Sequence, residues 1–80
     1  MNNIVLPELG EGITKATVAF WHFKSGDFVQ EGDDVVELVT DKATFNVAAE
    51  VAGRIQKIQV NEGEEAKIGA VLAVLEPDKT

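Results

Sequence analysis

The chain contains no cysteine, and histidine, tryptophan and methionine occur once each. Without a thiol there is no disulfide framework and no cysteine nucleophile or thiolate ligand. No metal site is predicted, because structural zinc sites draw most of their ligands from cysteine and histidine. The single histidine, His22, has no second histidine or cysteine with which to form a catalytic pair.

Basic residues and long apolar runs are also scarce. Seven Lys and Arg stand against fourteen Asp and Glu, which gives a net charge of −7. Nucleic-acid binding relies on clustered basic charge, so no nucleic-acid partner is expected. No apolar run approaches the ~20 residues of a membrane span, and the start of the chain lacks the basic and apolar segments of a signal peptide. We therefore expect no membrane association and no targeting segment.

Short apolar segments rich in Val and Ile, separated by turn residues, make up most of the chain. This pattern is typical of an all-β sandwich or barrel, and no window has a sustained apolar period near ~3.6 residues. We expect one small monomeric domain spanning residues 1–80. The predicted strands are Ile4–Leu6, Ala16–Phe23, Val35–Val39, Ala43–Ala49, Arg54–Val60 and Val71–Leu75.

An internal repeat relates the two halves at an offset of 37 residues, which aligns Val18 with Ile55 and Gly26 with Gly63. Two copies of one unit can pack their apolar faces together, so we predict two small antiparallel sheets with quasi-two-fold symmetry. Phe20 aligns with Lys57. This polar counterpart predicts that Phe20 points outward to a partner; the alternative is that it fills a gap in the core through a local bulge.

Lys42 lies between two strand-forming runs, in Val39-Thr40-Asp41-Lys42-Ala43-Thr44-Phe45. We predict a hairpin tip that holds its amine in solvent. A one-residue shift in the pairing of the two strands would turn the side chain to the other face. The repeat places Lys79 at the equivalent position, but at a chain end where fraying is expected. Lys42 is therefore either an ordinary turn lysine or an amine positioned for covalent modification.

Five segments resemble lipoyl domains of the acyltransferase components of 2-oxo acid dehydrogenase complexes, in the right order and spacing. They are Leu6–Ile13 (Leu-Pro-Glu-Leu-Gly-Glu-Gly-Ile), Lys24–Asp27, Thr40–Ala43, Val51–Gly53 and Glu62–Gly63. The resemblance covers nearly the whole chain. It implies a flattened β-barrel of two four-stranded antiparallel sheets, and a non-catalytic carrier domain at the N-terminal part of a larger multidomain acyltransferase.

The resemblance also implies roles for particular residues. Lys42 would carry lipoic acid in amide linkage, and Asp41 and Ala43 would help a lipoate-attaching enzyme to recognise it. A loop near the tip would help the decarboxylase component to select the domain. That loop consists of Leu9, Gly10, Glu11, Gly12 and Ile13.

The implied partners are those of an acyl carrier. A thiamine-diphosphate-dependent decarboxylase would reductively acylate the lipoyl group, and the acyltransferase core would pass the acyl group to coenzyme A. Dihydrolipoyl dehydrogenase would then reoxidise the arm. We expect a pyruvate dehydrogenase complex, from the frequency of such complexes rather than from any residue, and a bacterial cytoplasm rather than a mitochondrial matrix.

Several alternatives stay open. The domain could serve another 2-oxo acid complex or be attached to the dihydrolipoyl dehydrogenase component. A biotinyl carrier domain has the same fold, but methionines usually flank its lysine, and Met1 is the only methionine here. An unmodified β interaction module is the remaining class. An independent enzyme is disfavoured, because no set of nucleophile, base and oxyanion donors can be assembled.

Overall fold

Strands account for all the regular secondary structure in the computed structural model, which describes residues 2–77. Within those residues no helix is present, and so none that could cross a membrane. The strands are β1 (Asn2–Val5), β2 (Lys15–Trp21), β3 (Phe28–Val29), β4 (Asp34–Val39), β5 (Thr44–Ala48), β6 (Gly53–Ile58), β7 (Glu65–Lys67) and β8 (Val71–Pro77).

The eight strands form two four-stranded antiparallel sheets, in the orders β1-β8-β6-β3 and β5-β4-β2-β7. The repeat offset aligns β2, β3 and β4 with β6, β7 and β8. Equivalent strands therefore occupy equivalent places in the two sheets. The predicted fold class, with its two related sheets, is therefore confirmed.

The strand predictions were wrong in two places. β3 and β7 were not predicted as strands, because they contain only two and three residues and β7 is mostly polar. The predicted segments Ala16–Phe23 and Arg54–Val60 each extend two residues beyond the observed strand ends, at Trp21 and Ile58. The other four predicted strands agree with the structure to within one or two residues.

A β-bulge interrupts β2 between Val18 and Phe20, and a matching bulge interrupts β6 between Ile55 and Lys57. A bulge puts one extra residue into a strand and breaks the regular alternation of side chains. Ala19 and Phe20 are consequently both exposed, and the next side chain, Trp21, returns to the core. The bulge foreseen as an alternative is thus real, but it directs Phe20 outward as the repeat predicted.

The core lies between the inner faces of the two sheets. Its largest fully buried side chains are Leu6, Leu38, Ile55, Leu72, Leu75, Val18, Val29, Val35 and Val36. Each contributes about 1.5–3 kcal/mol relative to an exposed position. No buried side-chain nitrogen or oxygen lacks a partner among residues 2–77.

Gly53 marks a close approach of two backbones within the first sheet. It begins β6, pairs with Val29 of β3 and with Pro77 of β8, and is buried. A Cβ built at this position would overlap the carbonyl oxygen of Glu76. Only glycine therefore lets β6 pair with both neighbours here.

Candidate functional site

Lys42 lies in the turn Thr40–Ala43 that joins β4 to β5. The backbone N–H of Thr40 donates to the carbonyl oxygen of Ala43 over 2.9 Å and closes the turn. The side chains of Asp41, Lys42 and Ala43 are all exposed. The structure therefore places the three residues of the predicted attachment motif together at a hairpin tip.

The hydroxyl of Thr40 organises the backbone of this tip. Its Oγ1 accepts the N–H of Lys42 and the N–H of Ala43, each over 3.1 Å, and its O–H donates to the carbonyl oxygen of Ala43. Such side-chain bonds to nearby backbone groups replace ladder hydrogen bonds where a strand ends. Thr40 was not predicted as a site residue, although a threonine directly before a turn is a usable signal.

The loop Leu9–Ile13 lies beside the tip, as the resemblance implied. A Cβ built on Gly12 would be 3.5 Å from Nζ of Lys42. Gly12 has a φ of +83°, a left-handed conformation that favours glycine. The loop is closed by a hydrogen bond of 3.2 Å from the Ile13 N–H to the Gly10 carbonyl oxygen.

Burial divides this loop into an anchored part and a presented part. Leu9 and Ile13 are partly buried, and Leu9 packs against the core. Gly10, Glu11 and Gly12 are exposed. The loop is therefore fixed at its ends and presents Glu11 to solvent close to the lysine.

An open groove runs from this loop along the base of the tip. Its walls come from residues 12–17 on one side and residues 39–41 on the other. An ion pair of 3.4 Å between Lys15 Nζ and Glu65 Oε2 borders it. Within residues 2–77 no carboxylate oxygen lies within 4.0 Å of Lys42 Nζ, so the amine is free of ion pairing there.

Phe20 lies on the outer face of the same sheet as Lys42. It is paired with Glu37 of β4, three residues before Thr40, so it lies about 10 Å from the tip along the strand. Its side chain is 52% exposed. The predicted outward direction of Phe20 is confirmed.

The neighbouring aromatic residues differ in burial. His22 is also exposed, whereas Trp21 is buried and Phe23 is partly buried against the core.

These features suit Lys42 to covalent modification. The exposed primary amine of Lys42 can be acylated. The backbone of the turn is held by three hydrogen bonds, which the N–H groups of Thr40, Lys42 and Ala43 donate. No cluster of three or more potential metal ligands occurs among residues 2–77. The site therefore consists of an accessible lysine in a hydrogen-bonded turn.

Comparison with known proteins defines the class. A family model named Biotin_lipoyl and described as "Biotin-requiring enzyme" matches residues 2–75. The chain belongs to this family of carrier domains, in which a prosthetic group is linked to a lysine. Relatives at 34–41% identity are lipoyl proteins, so lipoic acid is the group that this branch carries.

The curated relatives are acyltransferase components. The chain is 41% identical over 75 residues to the dihydrolipoyllysine-residue succinyltransferase component of the 2-oxoglutarate dehydrogenase complex of Staphylococcus saprophyticus. It is 34% identical over 74 residues to the dihydrolipoyllysine-residue acetyltransferase component of the pyruvate dehydrogenase complex of Staphylococcus aureus. These alignments cover 94% and 91% of the chain, but only 18% and 17% of the relatives' length.

A solved structure supports the same assignment. The lipoyl domain of the 2-oxoglutarate dehydrogenase complex from Azotobacter vinelandii is similar with a TM-score of 0.77 and 37% sequence identity. The match covers 98% of this chain and 100% of that domain. The chain is thus similar, over nearly all its length, to one lipoyl domain of a 2-oxoglutarate dehydrogenase complex.

Proposed function

We propose that the chain is a swinging-arm carrier domain in which Lys42 holds lipoic acid in amide linkage. The position of Lys42 carries the proposal, because its backbone is fixed by Thr40 while its side chain projects into solvent. Gly12 presents no side chain against Nζ, which leaves room for an acylated amine. The residues at the tip therefore fit the group.

The domain's own contribution is tethering and presentation. When bound, the lipoyl group supplies a disulfide that is reduced as it accepts an acyl group and is reoxidised later. Lys42 keeps that group attached, so each encounter with an enzyme of the complex behaves as an intramolecular step. The enzymes that the arm would visit are the thiamine-diphosphate-dependent decarboxylase, the acyltransferase core and dihydrolipoyl dehydrogenase.

The residues around Lys42 would divide the recognition between them. Asp41 and Ala43 are exposed on either side of the lysine, where a lipoate-attaching enzyme would read them. Glu11, on the exposed part of the Leu9–Ile13 loop, would help the decarboxylase to select this domain. Phe20, on the same sheet as the tip, would belong to that partner surface.

The parent complex is proposed from similarity. Frequency among such complexes suggested pyruvate, but the succinyltransferase relative is 41% identical and the acetyltransferase relative 34%. The similar solved domain also comes from a 2-oxoglutarate complex. We therefore propose that the chain is a domain of a longer succinyltransferase of a 2-oxoglutarate dehydrogenase complex, with a pyruvate complex as the alternative.

Attachment is tested by intact mass. The chain is incubated in parallel with a lipoate-attaching enzyme and with a biotin-attaching enzyme. We expect one lipoyl group and no biotinyl group on the wild type, and none on Lys42→Arg. Lys24→Arg is the matched control, because Lys24 is also exposed in a tight turn. Biotinylation alone, or an unmodified wild type, would contradict the proposal.

The parent complex is tested by reductive acylation. The lipoylated chain is offered to a 2-oxoglutarate decarboxylase component and to a pyruvate decarboxylase component at equal concentration. A higher kcat/KM with the first supports the succinyltransferase assignment. A higher kcat/KM with the pyruvate decarboxylase component would instead support a pyruvate dehydrogenase complex.

A further inference from the structure

Phe20 is the most exposed large apolar side chain among residues 2–77. Lys57 occupies the equivalent position after the matching bulge in the other sheet. The bulge and the outward direction are therefore compatible with a charged residue. A single exposed apolar side chain is ordinary, so its surroundings decide whether it forms a surface for binding.

The ring of Phe20 is held in place by its neighbours. The ring of His22 meets it edge-on, with 5.2 Å between centroids and 76° between planes. The Nε2 of His22 is in turn 3.3 Å from Oδ1 of Asn46, on β5. Edge-to-face packing is a favoured aromatic geometry, and an ordered side chain loses less entropy when a partner binds.

An apolar groove opens beside this ring at the end of β2. Its floor is formed by Trp21, Phe23 and Ile58, which are buried or partly buried. A groove with an exposed aromatic ring on one side and an apolar floor can accept one apolar side chain from another protein. We call Phe20, His22 and this floor the Phe20 groove.

The rim of the Phe20 groove is acidic, and its carboxylates are fixed. Glu62 Oε2 accepts the backbone N–H of Trp21 over 3.0 Å, and Asp27 Oδ2 accepts the backbone N–H of Lys24 over 2.8 Å. Among the described residues that line the groove, Lys24 is the one cation. Glu37, paired with Phe20 on β4, adds a further carboxylate. The rim therefore complements a basic surface, in a chain of net charge −7.

We propose that the Phe20 groove binds a segment of the decarboxylase component that carries an apolar side chain beside a lysine or arginine. The inference rests on the proposed carrier function. A protein bound there would lie roughly 10–15 Å along the sheet from Thr40, where the turn that carries Lys42 begins, so the docked protein could receive the arm. Phe20 is a docking residue in this account and does not touch the reacting atoms.

The test uses two phenylalanines that differ in position. Phe20→Lys introduces the residue that the repeat has at the equivalent site, so the fold should be retained. Phe28→Lys is the matched control, because Phe28 is 44% exposed but lies on β3 of the other sheet. We expect Phe20→Lys to lower kcat/KM for reductive acylation by about tenfold, mainly through KM, and Phe28→Lys to change it less than about twofold.

Binding of the unmodified chain gives a second readout. NMR titration of the unlipoylated chain with the decarboxylase component should shift the amides of Phe20, His22 and Phe23, and Phe20→Lys should abolish these shifts. Glu62→Gln combined with Asp27→Asn keeps an oxygen acceptor for each backbone N–H but removes both charges. That variant should bind more weakly and with less dependence on salt.

The outcomes separate this inference from the proposed function. Equal effects of Phe20→Lys and Phe28→Lys on a lipoylated, acylatable domain would overturn the groove and leave the carrier function intact. A loss of lipoylation in Phe20→Lys equal to its loss of acylation would also overturn it. A wild type that accepts no lipoyl group would instead overturn the carrier function.

Discussion

Replacing Thr40 with valine tests whether the hairpin tip is held as the structure indicates. Valine keeps the β-branched shape but removes the hydroxyl that accepts the N–H groups of Lys42 and Ala43 and donates to the Ala43 carbonyl oxygen. The backbone hydrogen bond from Thr40 to Ala43 stays possible. The substitution therefore loosens the tip without removing the turn.

The size of the effect follows from those contacts. A hydrogen bond in a protein contributes a net ~0.5–1.5 kcal/mol, and water can replace part of it at an exposed tip. We expect Thr40→Val to lower the free energy of unfolding by about 1–2 kcal/mol in total. In a domain of this size that corresponds to a Tm lower by roughly 5–15 °C.

The assay compares Thr40→Val with Thr44→Val, an exposed threonine on β5 whose hydroxyl makes no hydrogen bond within residues 2–77. Urea unfolding gives the stability, and NMR hydrogen exchange reports on the amides of Lys42 and Ala43. We expect faster exchange and slower lipoylation in Thr40→Val alone. Equal stability, exchange and lipoylation in the two variants would refute the argument that the hydroxyl fixes the tip.

Two further substitutions test the scaffold. Gly53→Ala should lower the free energy of unfolding by more than about 3 kcal/mol, because the added Cβ would overlap the Glu76 carbonyl oxygen. Gly26→Ala should lower it by about 1–2 kcal/mol, because Gly26 has open space around it and only a positive φ of +95° to disfavour alanine. Equal costs by urea unfolding would contradict the steric argument. Trp21→Phe removes the indole N–H that donates to the Val60 carbonyl oxygen over 2.8 Å and should cost about 1–3 kcal/mol; an unchanged unfolding midpoint would contradict that role.

The repeat is the reason so much of the fold could be predicted from the sequence. Matching Val18 to Ile55 predicted two equivalent sheets, and matching Phe20 to Lys57 predicted an exposed phenylalanine. The short edge strand β7 could not be predicted, because three mostly polar residues carry no apolar pattern. Its pairing with β2 is a tertiary contact that local sequence does not encode.

The site was predictable in outline but not in its supporting contacts. The residues at the tip were found from the Asp41-Lys42-Ala43 motif, because a motif is local. The approach of Gly12 to Nζ of Lys42 was expected from the resemblance alone, because the two residues are far apart in the chain. The groove beside Phe20 also joins distant segments, and it depends on how the sheets pack, so only the structure reveals it.

Peptide-level mass mapping of the wild-type chain, after reaction with a lipoate-attaching enzyme, tests the attachment point directly. We expect a single lipoyl group, on Lys42. Modification of a different lysine would show that the hairpin tip does not select the attachment point, and the proposed role of Lys42 would then be wrong. The lysines that serve as internal comparisons are Lys15, Lys24, Lys57, Lys67 and Lys79, the last of which lies outside the residues that the structure describes.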